Sequence, residues 1–127
     1  MSRVLVDTSV WIDHFRDGLS RIEELAASQR LLGHPFVVAE LACGNLSDRA
    51  GTLSTLDDLT AVTVATTEEI RAAVERRRLF GRGVGFVDVH LLTATLLTPS
   101  TVLWSRDRRL RGLAREVGVA FDEDRLH

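Results

Sequence analysis

The sequence predicts an α/β protein, in which one domain is built on a central parallel sheet of four to five short strands flanked by helices. Two observations predict this class. Short apolar runs alternate with helical patterns along the chain, which favours parallel strands joined by right-handed crossovers. The length of 127 residues suits one domain with a genuine hydrophobic core.

The first strand is the apolar run at 4–6, whose lack of polar alternation is typical of a strand buried on both faces. Asp7 follows this strand directly, and Thr8 and Ser9 come next. Open α/β sheets bind their ligands beyond the carboxyl ends of the strands. Asp7 is therefore the first candidate functional residue.

The other elements follow from helical spacing of apolar residues and from glycine, proline and N-cap signals. The predicted helices cover 10–15, 19–28, 36–46, 47–59, 66–80, 86–97 and 107–117. The further predicted strands cover 31–32, 61–64, 101–104 and 118–121. The glycine-rich loop at 81–85 follows a helix instead of a strand, so it does not fit a dinucleotide-binding fingerprint.

Composition excludes several classes of protein. A hydrophobic share of 45% and a charged share of 27% are typical of soluble globular chains. No apolar run approaches the roughly 20 residues of a membrane span, and we expect no signal peptide. The single cysteine, Cys43, cannot form an internal disulfide, which fits a cytoplasmic location.

The basic residues show a marked bias. All 16 are arginine, which removes every mechanism that needs a lysine amine. The net charge of −2 argues against a protein that binds nucleic acid through its overall charge alone. Arginines cluster at 76–78 and at 106–115, and guanidinium groups suit phosphate recognition. The first cluster is best interpreted as a solvated helix face.

Four acids are the candidate functional residues. Asp7, Asp88 and Asp107 lie after strands or near helix starts, where aspartate often serves only as an N-cap. Glu40 does not fit that explanation, because it shares an apolar helix face with Phe36 and other residues. We therefore expect Glu40 to be buried, at a cost unless it is paired or binds a metal.

Asp88 shows the same anomaly, because Leu91 and Leu92 lie on its helix face. Two acids on apolar faces, together with two acids at strand ends, predict an oxygen-lined cation site. Mg²⁺ and Mn²⁺ prefer such ligands. Like charges raise one another's pKa, so the cluster needs a cation to stay fully ionised. The histidines lack zinc-site spacing.

Four segments carry a resemblance to a known family: 6–12, 38–41 with Gly44, 85–92 and 103–110. In order and spacing they are similar to the PIN-domain ribonucleases, and among these to the small VapC-type toxins of type II toxin–antitoxin pairs. The resemblance covers essentially the whole chain and implies a single PIN-like domain. Ser105 stands where the family more often has threonine, and the hydroxyl is kept.

The resemblance implies an endoribonuclease that hydrolyses RNA phosphodiester bonds and leaves a 5′-phosphate and a 3′-hydroxyl. It implies that Mg²⁺ or Mn²⁺ is held by Asp7, Glu40, Asp88 and Asp107. It also implies a cognate antitoxin and a toxin homodimer. Supporting hydroxyls are expected from Thr8, Ser9 and Ser105, and RNA-positioning arginines from Arg82, Arg106 and Arg108.

Three other functions share parts of this pattern. A receiver-type phosphoacceptor domain also gathers acids at strand ends, but the absence of lysine argues against its usual ion pair. A PIN-like protein-binding module without catalysis has no reason to retain four repelling acids. A haloacid-dehalogenase-type phosphatase needs a second aspartate where this chain has Ser9.

Overall fold

The computed structural model describes residues 1–125 and contains a four-stranded parallel sheet. The strands are β1 (Arg3–Val6), β2 (Leu31–Gly33), β3 (Thr60–Ala61) and β4 (Thr101–Trp104). The helices are α1 (Thr8–Asp17), α2 (Ser20–Ala27), α3 (Pro35–Ala42), α4 (Arg49–Asp57), α5 (Thr67–Arg76), α6 (Phe86–Leu97) and α7 (Arg108–Glu116). The predicted α/β class and the parallel sheet are confirmed.

The strand order β3-β2-β1-β4 places β1 inside the sheet, paired with β2 on one side and β4 on the other. Val4, Leu5 and Val6 are completely buried, as an apolar strand covered on both faces should be. Because every pairing is parallel, the carboxyl ends of the strands share one edge of the sheet. None of the helices within residues 1–125 has the length and apolar character needed to cross a bilayer.

The start of α1 and the end of α3 differ from the prediction. The Asp7 carboxylate accepts a hydrogen bond from the Thr8 N–H, so α1 begins at Thr8 instead of residue 10. α3 ends at Ala42 instead of residue 46. The Arg49 side chain donates to the carbonyls of Ala42 and Gly44 and so satisfies the free end of this helix. The predicted helix at 47–59 is correspondingly shorter.

α5 also ends early, at Arg76 instead of residue 80. Arg78 adopts the left-handed conformation with φ 52°, which turns the chain out of the helix. The turn buries Leu79, whose N–H donates to the carbonyl of Val74. Burying this leucine in the core decides where the helix stops.

Two strand predictions were too long. β3 is only two residues long, Thr60–Ala61, and shares just Ala61 with the predicted strand at 61–64. The Thr63 N–H bonds to the Thr98 hydroxyl and not to a strand. The predicted strand at 118–121 forms only an isolated bridge, between Ala120 and Leu103. The sheet of the described residues therefore has four strands, with a single bridge beside β4.

Two buried histidines connect α3 to α6. His34 and His90 are 1% and 2% exposed, and their ring centroids lie 5.9 Å apart. His34 Nδ1 accepts the Phe36 N–H and caps α3. Burial, reinforced by His90, lowers the pKa of His34 to about 4, and burial also lowers the pKa of His90. Both imidazoles are therefore neutral at pH 7.

Acidification should destabilise the protein through His34. The pKa of His34 is about 4 in the folded protein, whereas an unperturbed histidine has a pKa of 6.5. Below pH 6.5 the unfolded chain therefore binds more protons than the folded chain. Stability is therefore lost as the pH falls from 6.5 toward 4. We expect His34 to contribute a loss of about 2 kcal/mol between about pH 7 and 5, measured by urea unfolding.

The control is His34→Asn, which keeps a side-chain acceptor for the cap of α3 but cannot titrate. Its unfolding free energy should fall less between the same two pH values than that of the unchanged protein. An identical fall in both proteins would contradict the assignment to His34.

Candidate active site

The carboxyl edge of the sheet collects the predicted acids from distant parts of the chain. Asp7 follows β1, and Asp107 lies three residues after β4. α3 and α6 supply Glu40 and Asp88. Because β1 and β4 are adjacent and parallel, the residues that follow them emerge side by side. Parallel pairing thus brings together acids that are up to 100 positions apart in sequence.

Asp7 is the most enclosed of the four acids, with 6% exposure. Its Oδ1 accepts the Thr8 N–H at 2.7 Å. Its Oδ2 accepts the Ser9 hydroxyl at 2.8 Å and the Ser105 hydroxyl at 2.7 Å. Three donors satisfy this buried carboxylate and hold it in one orientation.

The two serines are themselves oriented by the backbone. Ser9 Oγ accepts the Arg106 N–H at 3.1 Å, and Ser105 Oγ accepts the Asp107 N–H at 3.0 Å. Because each oxygen accepts from an N–H group, its own proton is directed at Asp7. The expected hydroxyl contacts of Ser9 and Ser105 therefore exist, and both serve Asp7.

Asp107 is exposed and caps α7. Its Oδ1 accepts the N–H groups of Arg109 and Leu110 at 3.1 and 3.0 Å. No hydrogen bond within residues 1–125 engages its Oδ2. The N-cap explanation is thus correct for Asp107, and it leaves one carboxylate oxygen available.

Glu40 is exposed, so the prediction of a buried Glu40 was wrong. α3 turns Val37 and Leu41 into the core, which leaves Glu40 on the solvent side of the helix. Its Oε1 accepts the Thr8 hydroxyl at 2.9 Å. That bond connects α3 to the first turn of α1, next to Asp7.

Asp88 is half-buried, and its Oδ2 accepts the Gly85 N–H at 3.3 Å. Burial raises the pKa of the Asp88 carboxyl, while the Gly85 bond lowers it. The charges of Asp107, Asp7 and Glu40 raise this pKa further. The other three carboxylates therefore lie close enough to Asp88 to affect its pKa.

No ion pair within residues 1–125 involves any of these four acids. As they stand, no three His, Cys, Asp or Glu side chains of the described residues are grouped tightly enough to hold a metal ion. The chemistry of the set still fits a hard divalent cation, because it offers carboxylate oxygens and no competing guanidinium.

The predicted RNA-positioning arginines differ in their surroundings. Arg82 pairs with Glu116, and Arg106 pairs with Asp13 at 2.8 Å and with Glu123 at 3.0 Å. Arg108 is exposed and forms no ion pair within residues 1–125. Only Arg108 among the three thus has a guanidinium without an acidic partner in the described chain.

Sequence reasoning missed two residues at this edge. Gly85 holds Asp88 through its N–H, and an acid three residues after the N-cap position is the spacing at which a side chain reaches back to the N-cap N–H. Arg109 donates to the carbonyl of Gly83 and lies against the loop before α6. No local sequence pattern predicts the contact between Arg109 and Gly83, because the two residues are 26 positions apart.

The chain belongs to the PIN domain family. The model of that family, described as PIN domain, matches residues 4–116 and so spans all four acids. This assignment confirms the family resemblance of the four sequence segments.

The chain is also similar to two proteins that carry the same name. It is 43% identical over 121 residues to Ribonuclease VapC32 of Mycobacterium tuberculosis (strain CDC 1551 / Oshkosh). The same values hold for Ribonuclease VapC32 of strain ATCC 25618 / H37Rv. Each alignment covers 95% of this chain and 98% of the relative.

Ser105→Ala should lower the free energy of unfolding by about 1–3 kcal/mol, because buried Asp7 loses a donor and the Asp107 N–H loses its acceptor. Ser105→Thr keeps the hydroxyl and should lose less. Urea unfolding measures both. Ser54→Ala, at an exposed position of α4, is the matched control. Equal stability of the two alanine variants would show that the network does not stabilise the fold.

Proposed function

We propose that this chain is a metal-dependent endoribonuclease, the toxin of a type II toxin–antitoxin pair, which hydrolyses RNA phosphodiester bonds. The observation that carries the proposal is the convergence, at the carboxyl edge of the sheet, of four acids that form no ion pair within residues 1–125. PIN family membership and the similarity to proteins named as ribonucleases support the reaction class.

In this proposal Asp7, Glu40, Asp88 and Asp107 hold Mg²⁺ or Mn²⁺. Such an ion, when bound, supplies an activated water and stabilises negative charge on the phosphodiester. Burial raises the pKa of Asp88, and a cation would relieve the repulsion from Asp107, Asp7 and Glu40 that raises it further. The donor set favours these ions over zinc, because it contains oxygens and no thiolate or imidazole.

The hydroxyl groups keep the acids in place before any ligand arrives. Ser9 and Ser105 hold Asp7, and Thr8 holds Glu40. Fixing ligands in advance reduces the entropy lost when they bind. Each of the three hydroxyls therefore acts as a positioning group in the proposed mechanism.

The RNA backbone needs cationic contacts near these acids. Of the three arginines expected to supply them, Arg108 is the strongest candidate, since its guanidinium lacks an acidic partner within residues 1–125. Arg106 already braces Asp13 and Glu123, and Arg82 is paired with Glu116. These pairs favour a mainly structural role for both.

The proposed partners are RNA, a cognate antitoxin and a second copy of this chain. An antitoxin gives an RNA-cleaving enzyme the control that its host cell needs. We also propose a cytoplasmic location, where the RNA is found and where the exposed, free Cys43 stays reduced.

Asp7→Asn should reduce cleavage of total cellular RNA by more than about 100-fold, since losing even an outer-shell partner of a metal ligand costs about 10–100-fold. Glu40→Gln should act similarly, and its exposed position protects the fold. Purified proteins are assayed with Mg²⁺, Mn²⁺ or chelator. Circular dichroism verifies that each variant is folded.

The matched control is Asp57→Asn, which removes one negative charge at the exposed end of α4. It should cleave like the unchanged protein. Cleavage that persists in chelator, or in both Asp7→Asn and Glu40→Gln, would refute the metal-dependent mechanism. A folded, unchanged protein that cuts no RNA with either ion would favour a protein-binding module instead.

A further inference from the structure

A cavity of about 540 Å³ lies between the loop before α6 and the exposed face of α7. Asp107 lines it, so the cavity adjoins the acidic cluster. Val84 comes from the loop, and Arg108 and Arg109 come from the first turn of α7. The volume lies within the roughly 300–1,000 Å³ of ordinary ligand sites.

Three arginines line the cavity, and two of them lack an acidic partner within residues 1–125. Arg82 is neutralised by Glu116 on the opposite wall. Neither Arg108 nor Arg109 forms an ion pair within residues 1–125. Guanidinium groups bind phosphate through paired N–H donors, so these two residues give the cavity the chemistry of a phosphate site.

Arg109 is held in the cavity wall by Gly83. Its Nη1 donates to the Gly83 carbonyl at 3.1 Å, which leaves its other N–H groups for a ligand. A Cβ at Gly83 would lie 2.9 Å from the Arg109 Cζ and Nη1 atoms. Only glycine at position 83 therefore lets the guanidinium lie against this loop.

We propose that this cavity is a subsite for the RNA strand next to the cleaved bond. Arg108 and Arg109 bind a phosphate of a flanking nucleotide, and Gly83 positions Arg109. The inference rests on the proposed function, because only a nuclease brings an RNA phosphodiester to Asp107.

RNA binding in this subsite is independent of base sequence. The described residues that line the cavity include no aromatic side chain on which a base could stack. Contacts to phosphate fix the position of a strand without selecting its sequence. The subsite therefore contributes affinity and register, and recognition of particular bases must come from other residues.

Binding is measured by fluorescence anisotropy with a short, labelled single-stranded RNA of mixed sequence, in chelator so that no cleavage occurs. Arg108→Gln and Arg109→Gln should each weaken binding. Each should also reduce the slope of log affinity against log salt, and the double variant should reduce it by about 0.7, the value for one phosphate contact on a single strand. Arg115→Gln, on the same helix but outside the cavity, should keep the slope.

Two glycines provide a second matched pair. Gly83 and Gly81 have φ of 74° and 71°, so alanine strains both backbones alike, but nothing lies within 4 Å of a Cβ at Gly81. Gly83→Ala should therefore reproduce the affinity and salt slope of Arg109→Gln, and Gly81→Ala should not. Combining Gly83→Ala with Arg109→Gln should add no further loss, because both changes remove the same contact.

Steady-state cleavage gives an independent readout. Arg108→Gln and Arg109→Gln should raise KM while kcat stays within about twofold, since a contact present in both ground and transition states affects binding alone. The subsite is refuted if both variants keep the salt slope of Arg115→Gln. The subsite is refuted equally if the two arginine variants retain binding of RNA but lose binding of a polyglutamate peptide, because the arginines would then bind an acidic peptide and not RNA.

The binding assay needs no catalysis, so the two proposals fail in distinguishable ways. If the unchanged protein cleaves RNA but the arginine variants bind it normally, only the subsite is wrong. If the unchanged protein is folded and cuts no RNA with Mg²⁺ or Mn²⁺, the nuclease itself is wrong, and the subsite is refuted with it.

Discussion

The fixed carboxylate of Asp7 is the constraint on which the functional edge of this protein depends. A carboxylate that is almost fully enclosed is costly unless donors satisfy it. The Thr8 N–H and the hydroxyls of Ser9 and Ser105 supply those donors. Since Ser105 follows β4, the same bonds tie the end of the central strand to the β4–α7 turn. One carboxylate therefore joins the end of β1 to the residues that surround the site.

Gathering four acids at one edge opposes stability, because their charges repel. Helix starts offset part of this cost. Asp7 and Asp107 cap α1 and α7, and Asp88 lies in the first turn of α6. The positive end of a helix dipole favours a negative charge in each of these places. Three acids thus occupy positions where the backbone stabilises them, and burial together with repulsion still raises the pKa of Asp88.

The four arginines near the acidic cluster divide into two groups by their surroundings. Arg106 braces the first helix and the C-terminal region through Asp13 and Glu123, and Arg82 joins the loop before α6 to Glu116 on α7. Arg108 and Arg109 carry no such ion pairs in the described chain and face the cavity beside Asp107. The net charge of −2 does not attract an RNA backbone. In the proposed function, that attraction comes from the local placement of these guanidinium groups.

The sequence by itself determined the α/β class, the bounds of α6 and β4, and the candidate acids, because periodicity and capping signals are local. Only the tertiary structure decided that Glu40 is exposed, since that depends on which face of α3 meets the core. It also decided where α5 ends, through burial of Leu79, and which arginines are paired. These features depend on partners far away in the chain, and no local pattern of residues records them.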